Sequence, residues 1–142
     1  VNQETWDVRG AREWKAAGVD SSRIVTLIPF EAIKMTDISG NSSVAIGNDG
    51  RGSEWIGLRD LPRDLIVHWD DLAKANWGEK GNVFYSYENE RSIREKVQYA
   101  RDEHLRGVGV WELWRGWLPG ESPGNRDPLL KALKSAIGPQ RQ

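Results

Sequence analysis

Within YSYENERSIREKVQYARDEHLRGVGVWEL, residues 85–113, the hydrophobic period changes twice. YSY is short and aromatic, which suits the end of a strand. Asn89 then stands where a side-chain oxygen caps a helix, expected over 90–104. Behind it Ile93, Val97, Ala100 and His104 recur at helical spacing. Leu105 to Gly107 makes a turn. VGVWEL, 108–113, is short, β-branched and nearly all apolar, as is a strand covered on both faces. Together these pieces form one α/β unit.

The same order extends outward. ETWDVRGAREWKAA, 4–17, predicts a helix with Trp6, Ala11 and Trp14 on one broad face, weakened by Gly10 and stopped by Gly18. RIVTLIPF, 23–30, is a second strand of doubly covered composition, closed by Pro29. Downstream, Asp127 caps a final helix with Pro128 at its first position, apolar at Leu129, Leu130, Leu133 and Ile137 and ended by Gly138. Between the units, 31–82 holds the turn signals SGNSS, GNDGRG and WGEKGN around short alternating pieces such as SVAI and LIVHW. HWDDLAKANWG is expected to form a short helix ending at Gly78. This stretch is too long and too patterned for a plain loop, and predicts an inserted α+β subdomain over 31–82.

The fold class is therefore α/β, with residues 1–142 as a single domain. Two doubly covered strands are too few for a closed barrel, which needs about eight. They leave two edges unpaired. The expectation is part of a larger sheet, its edges covered by a complementary chain or by self-association as a homo-oligomer.

Composition narrows the function. A net charge of -1 offers no basic surface for nucleic acid or an anionic membrane. No apolar run approaches the roughly 18 residues of a membrane span. VNQETWDVRG lacks the basic end and apolar stretch of a signal peptide. There is no cysteine, and His68 and His104 stand without a ligand-spaced cluster, so neither metal nor cofactor is expected. GNDGRG lacks the Lys-Ser/Thr of a phosphate loop. The outlier is eight tryptophans beside two phenylalanines. Each indole N–H wants a partner, so the excess suits a surface that stacks on a flat ligand such as a sugar ring. A Trp-rich core and rim is the other reading, and both stay open on composition.

Four pieces in order resemble family 18 glycoside hydrolases, the chitinases and their relatives. Tyr87, Glu88 and Asn89 resemble the family's Tyr-Asp-Asp segment, and Ser92, Ile93 and Lys96 its Ser-Ile-x-x-Lys helix. Leu105, Arg106 and Gly107 lead to Trp111 as its Leu-Gly-Gly-x-x-x-Trp strand does. AREWKAAGVDSSRIVTLIPF, 11–30, is similar to the preceding unit, and NRDPLLKALKSAIG to the closing helix. Many members carry an α+β insertion where 31–82 lies. The resemblance implies the last two α/β units of a (β/α)8 TIM barrel, a partial barrel with a small insertion.

It also marks an absence. The family's catalytic Asp-x-x-Asp-x-Asp-x-Glu occurs nowhere in these 142 residues. Hydrolysis in the family is substrate-assisted: the glutamic acid protonates the leaving oxygen, and the substrate's acetamido group, oriented by an aspartate, attacks the anomeric carbon. The resemblance thus implies no catalytic residue here and a chain inactive by itself. Its expected substrate contacts are Trp111, the floor of the sugar site in the family, with Trp114, Trp117, Phe30 and Glu31. Trp114 and Trp117 stand open between groove and rim. Relatives have Tyr-Gly-Arg where Glu31, Ala32 and Ile33 stand, which separates this chain from a typical chitinase. Glu112, next to Trp111, reads as a salt-bridge partner at the strand end. The implied ligand is an N-acetylglucosamine-containing oligosaccharide, and the implied location extracellular or the cell envelope. Two other functions remain: a non-catalytic carbohydrate-binding module, and an assembly domain whose tryptophans anchor an interface.

Overall fold

The computed structural model describes residues 6–36 and 53–138. Helix α1 spans Trp6–Ala16, strand β1 Val25–Pro29, β2 Glu31–Met35 and β3 Ser53–Gly57. Strands β4, Ile66–Asp70, β5, Ala75–Lys80, and β6, Val83–Ser86, follow. Helix α2 covers Glu90–Asp102, β7 Gly107–Trp111 and α3 Pro128–Ile137. The turn signals SGNSS and GNDGRG and the piece SVAI lie outside the described residues.

These elements make two sheets. β1 and β7 pair in parallel, Val25 opposite Gly107 and Pro29 opposite Trp111. The other five strands form an antiparallel sheet in the order β3-β2-β6-β5-β4. Its last strand ends at Ser86, so the sheet reaches just past residue 82.

Helix α2 forms as its sequence predicts. Asn89 accepts from the Ser92 amide at 2.9 Å, and Ser92 Oγ accepts from the Asn89 amide at 2.9 Å, a reciprocal cap. Ile93, Val97 and Ala100 are buried on one face. The helix ends at Asp102, two residues early. His104 lies beyond it at φ 53° and is exposed, so it does not continue that face. Gly18, at φ 88°, stops α1. Helix α1 buries Ala11, whereas Trp14 is 61% exposed. The broad buried face expected there is narrower, and α1 packs mainly on β1.

One apolar core joins β1 and β7 to α2 and α3. Ile28, Phe30, Ile93, Val97, Leu129, Ala132 and Leu133 form it, with Val108 and Val110 against them. A smaller core under the antiparallel sheet gathers Ala32, Ile56 and Tyr85, and Leu58 touches both.

Two expectations are corrected. HWDDLAKANWG is not a short helix: β4 and β5 form a hairpin, Asp70 opposite Ala75. Asp70 Oδ1 accepts from the amides of Leu72 at 2.9 Å and Ala73 at 2.8 Å, a bond that closes a turn and competes with a helix. Nor are β1 and β7 covered on both faces. Thr26 and Ile28 are buried, while Val25 and Leu27 are exposed, Leu27 at 53%. Helices cover one side of this pair, and no described residue covers the other.

Candidate functional site

The uncovered side of β1–β7 ends in the tryptophan-rich turn. A side chain built on Gly109 would meet Leu27 Cδ2 at 2.7 Å, so odd-numbered residues of both strands share this open face. Trp111 is the last of them and is 57% exposed at the carboxyl end of β7. The Trp111–Glu112 peptide is cis, and the Trp111 carbonyl accepts from the Phe30 amide at 2.7 Å.

Beyond Trp111 a single helical turn, Leu113–Gly116, carries Trp114 and Arg115. It rests on Phe30. A side chain on Gly116 would approach Phe30 Cδ2 to 2.8 Å, so only glycine lets the turn sit this low. Phe30 is 1% exposed within the main core. Phe30, expected as a substrate contact, lies in this core with its ring beneath the turn.

Glu31 is also buried, at 9% exposure, and its Oε2 lies 3.1 Å from Arg115 Nε. Glu112 Oε2 stands 3.6 Å from the same nitrogen, the salt bridge expected of it. The Nε approach is that of an ion pair, not of an aligned hydrogen bond. Arg115 Nη1 donates to the Trp55 carbonyl at 3.0 Å, and Arg59 Nη2 donates to the Trp114 carbonyl at 3.3 Å. Two arginines thus tie the turn after β7 to the edge of the antiparallel sheet. A charge-assisted bond to a carbonyl is stronger than a neutral one.

The other tryptophans differ in setting. Trp114 is exposed, with the Arg59 and Arg115 guanidinium carbons 5.3 Å and 4.8 Å from its ring centre. Trp117 has Arg126 at 5.8 Å. Trp69 carries Arg91 at 3.9 Å, and Trp77 stacks between His68 and Phe84. Among the described residues, Trp111 has no cation or ring contact of this kind. The site therefore brings together Trp111, Trp114 and Glu31, with Trp117 at the end of the turn.

Two residues of this cluster escape a sequence reading. Trp55 lies in SEWIGL, whose alternation marks a strand but not its neighbours. Arg115 sits between two tryptophans with no spacing signal for its carboxylate partners. Among the described residues no group of His, Cys, Asp or Glu is placed to hold a metal ion. None of their helices is long and apolar enough to cross a membrane.

A parallel strand pair with helices on one side, an antiparallel insertion after the first strand, and an aromatic at the carboxyl end of the second place the chain in the α/β class. The chain belongs to the glycosyl hydrolases family 18, whose sequence model matches residues 2–115. It is similar to an endochitinase of Manduca sexta, 23% identical over 144 residues, covering 87% of this chain and 26% of that protein. Human chitinase-3-like protein 2 is 24% identical over 138 residues, covering 88% and 35%. Among solved structures, human YKL-39, described as a pseudo-chitinase with retained chitooligosaccharide binding properties, superposes with a TM-score of 0.81. That match has 18% identity and covers 97% of this chain and 44% of the other. The fold is thus that of the family's catalytic domains, and this chain spans about a third or less of the curated relatives' length.

Proposed function

We propose that this chain is the C-terminal segment of a family 18 barrel and forms part of a groove for N-acetylglucosamine oligomers. Residues 1–142 make a single unit, the last two α/β units, with 31–82 as its inserted subdomain. Trp111 is the floor. Trp114 and Trp117, whose rings already carry cations, are the rim, and Glu31 acts through Arg115. The observation that carries this reading is the exposed Trp111 at the end of an apolar, uncovered sheet face. A pyranose presents an apolar C–H face that an indole matches in shape and in the sign of its quadrupole. The other six α/β units, in the same protein or in a partner chain, cover Val25 and Leu27 and complete the barrel.

The catalytic acid lies outside these residues, since the acidic signature is missing from them. A second reading, a non-catalytic chitooligosaccharide binder, draws on that same absence and on the printed description of human YKL-39 as a pseudo-chitinase. An assembly role would place a second copy on the uncovered face instead. Family membership supports an extracellular or cell-envelope location.

Titration with chitotetraose, followed by calorimetry, tests the groove. The expected result is saturable binding that Trp111→Ala removes. Absence of binding at millimolar ligand sinks the reading. Turnover of a fluorogenic chitooligosaccharide by this chain alone would contradict the assignment of its acid elsewhere and the non-catalytic reading alike.

A further inference from the structure

β1 and β2 run as one extended stretch, broken only at Phe30. The alternation of sides continues across that break. Thr26, Ile28, Phe30 and Ala32 are all buried, and all are even-numbered. The odd side begins with Val25 and Leu27 beside Trp111, passes through Glu31, and reaches Ile33. Ile33 pairs directly with Trp55 on β3, and directly paired antiparallel residues project to the same side. The open face that ends in Trp111 is thus continuous with the face that bears Trp55.

Trp55 is 53% exposed, while its neighbour Ile56 is buried in the sheet's own core. Its indole contributes little to the packing of the fold. Its backbone, by contrast, is held: Arg115, four residues after Trp111, donates to its carbonyl, and the buried Glu31 fixes that guanidinium from below. Such pre-organisation of an exposed aromatic lowers the ordering cost of binding.

The geometry points to Trp55 as a second stacking residue of the groove. It would receive a ring further along the same N-acetylglucosamine oligomer whose leading ring lies on Trp111. Arg115 is the positioning residue that keeps the two indoles on one surface. This inference rests on the groove proposed above.

Oxidation of tryptophan by N-bromosuccinimide, mapped by peptide mass spectrometry, tests it on the unaltered protein. Chitohexaose should shield both Trp111 and Trp55 and leave Trp14 on α1 reactive. Shielding of Trp111 with Trp55 still fully reactive overturns the second stack and leaves the groove standing. Shielding of neither removes the groove, and this inference with it. Trp55→Ala should weaken chitohexaose roughly tenfold, the scale of one aromatic anchor, and leave chitobiose unchanged. Trp55→Phe should recover most of the loss. Equal loss for both sugar lengths, without recovery by phenylalanine, assigns Trp55 a structural role and overturns the proposal.

Discussion

The parallel pair β1–β7 and the antiparallel sheet β2–β6 are built from similar residues and solve their edges differently. The antiparallel sheet draws its five strands from residues 31–86, joins β4 to β5 and β5 to β6 as antiparallel neighbours, and holds its small core against its own strands. The parallel pair needs α2 as a crossover and a third layer to cover its second side. It has the first and, among the described residues, lacks the second. The difference teaches which region closes its own apolar side and which leaves one side open among the described residues.

The largest expected effect is at the joint between the two regions. Glu88, just after β6, is buried, accepts from Ser92 Oγ at 2.5 Å and pairs with Lys96 on α2. Lys96→Ala leaves that carboxylate buried without its cation, a loss of about 3 kcal/mol. Glu88→Gln combined with Lys96→Met should lose much less, since no charge is then stranded. Urea denaturation of the three proteins measures this. Equal loss in the single and double variants would show that packing, not charge, joins the regions.

Next is the contrast between the two faces of β1. Ile28→Ala empties a fully buried site and should cost about 2–5 kcal/mol. Leu27→Ala, one residue earlier and half exposed, should cost under about 0.5 kcal/mol in this chain alone. Thermal denaturation with light scattering decides. A Leu27→Ala cost rivalling that of Ile28→Ala means that the open face is buried in solution by a second copy. In a complete barrel, the same substitution should rise towards the Ile28→Ala value.

This contrast also shows how far the sequence could be read. The order of elements in the parallel region was legible because cap, helical period and apolar strand sit within thirty residues of one another. The apolar residues Val25 and Leu27 signalled a strand, and the expected cover on both faces is not seen among the described residues. They could not say that the second cover is missing from the described structure, because composition records a strand's surroundings and not who supplies them. The antiparallel region was less legible. HWDDLAKANWG has several good helix formers, and the side chain of Asp70 turned it into a hairpin instead. Around the turn after β7, Trp111 was singled out by its motif, and it stands exposed at the strand end. An aromatic after a strand end reads equally well as ligand contact or core, and the position of Phe30 is shown only by Gly116 against its ring. The Trp55 carbonyl meets Arg115 across sixty residues of sequence, which no local pattern reports.

A smaller effect is expected at the cap of α2. Asn89→Ala removes the bond to the Ser92 amide and should cost about 1 kcal/mol. Asn89→Asp should retain most of it. The cap belongs to the parallel region, so amide exchange should quicken in the first turn of α2 and hardly at all in β4 and β5. Equal quickening in both regions would mean that they open as one unit.

The smallest effect separates the regions by acid. The Trp69 indole N–H and Lys74, with help from Arg91, hold the Asp71 carboxyl below the usual carboxylate range. Lys80 does the same for Asp64. Asp71 lies in the turn between β4 and β5 and Asp64 just before β4, and both carboxylates are exposed to water. A carboxyl whose folded value is depressed contributes stability that is fully present above its ordinary value, near 4, and is lost as pH falls through the folded one. Amide exchange in β4 and β5 should therefore quicken as pH drops below about 4, less so in high salt, which screens exposed pairs. Asp71→Asn should exchange faster at neutral pH and show a shallower acid response. Acid quickening of equal size in β7, which carries none of these pairs, would trace the loss to the joint at Glu88 and not to the hairpin.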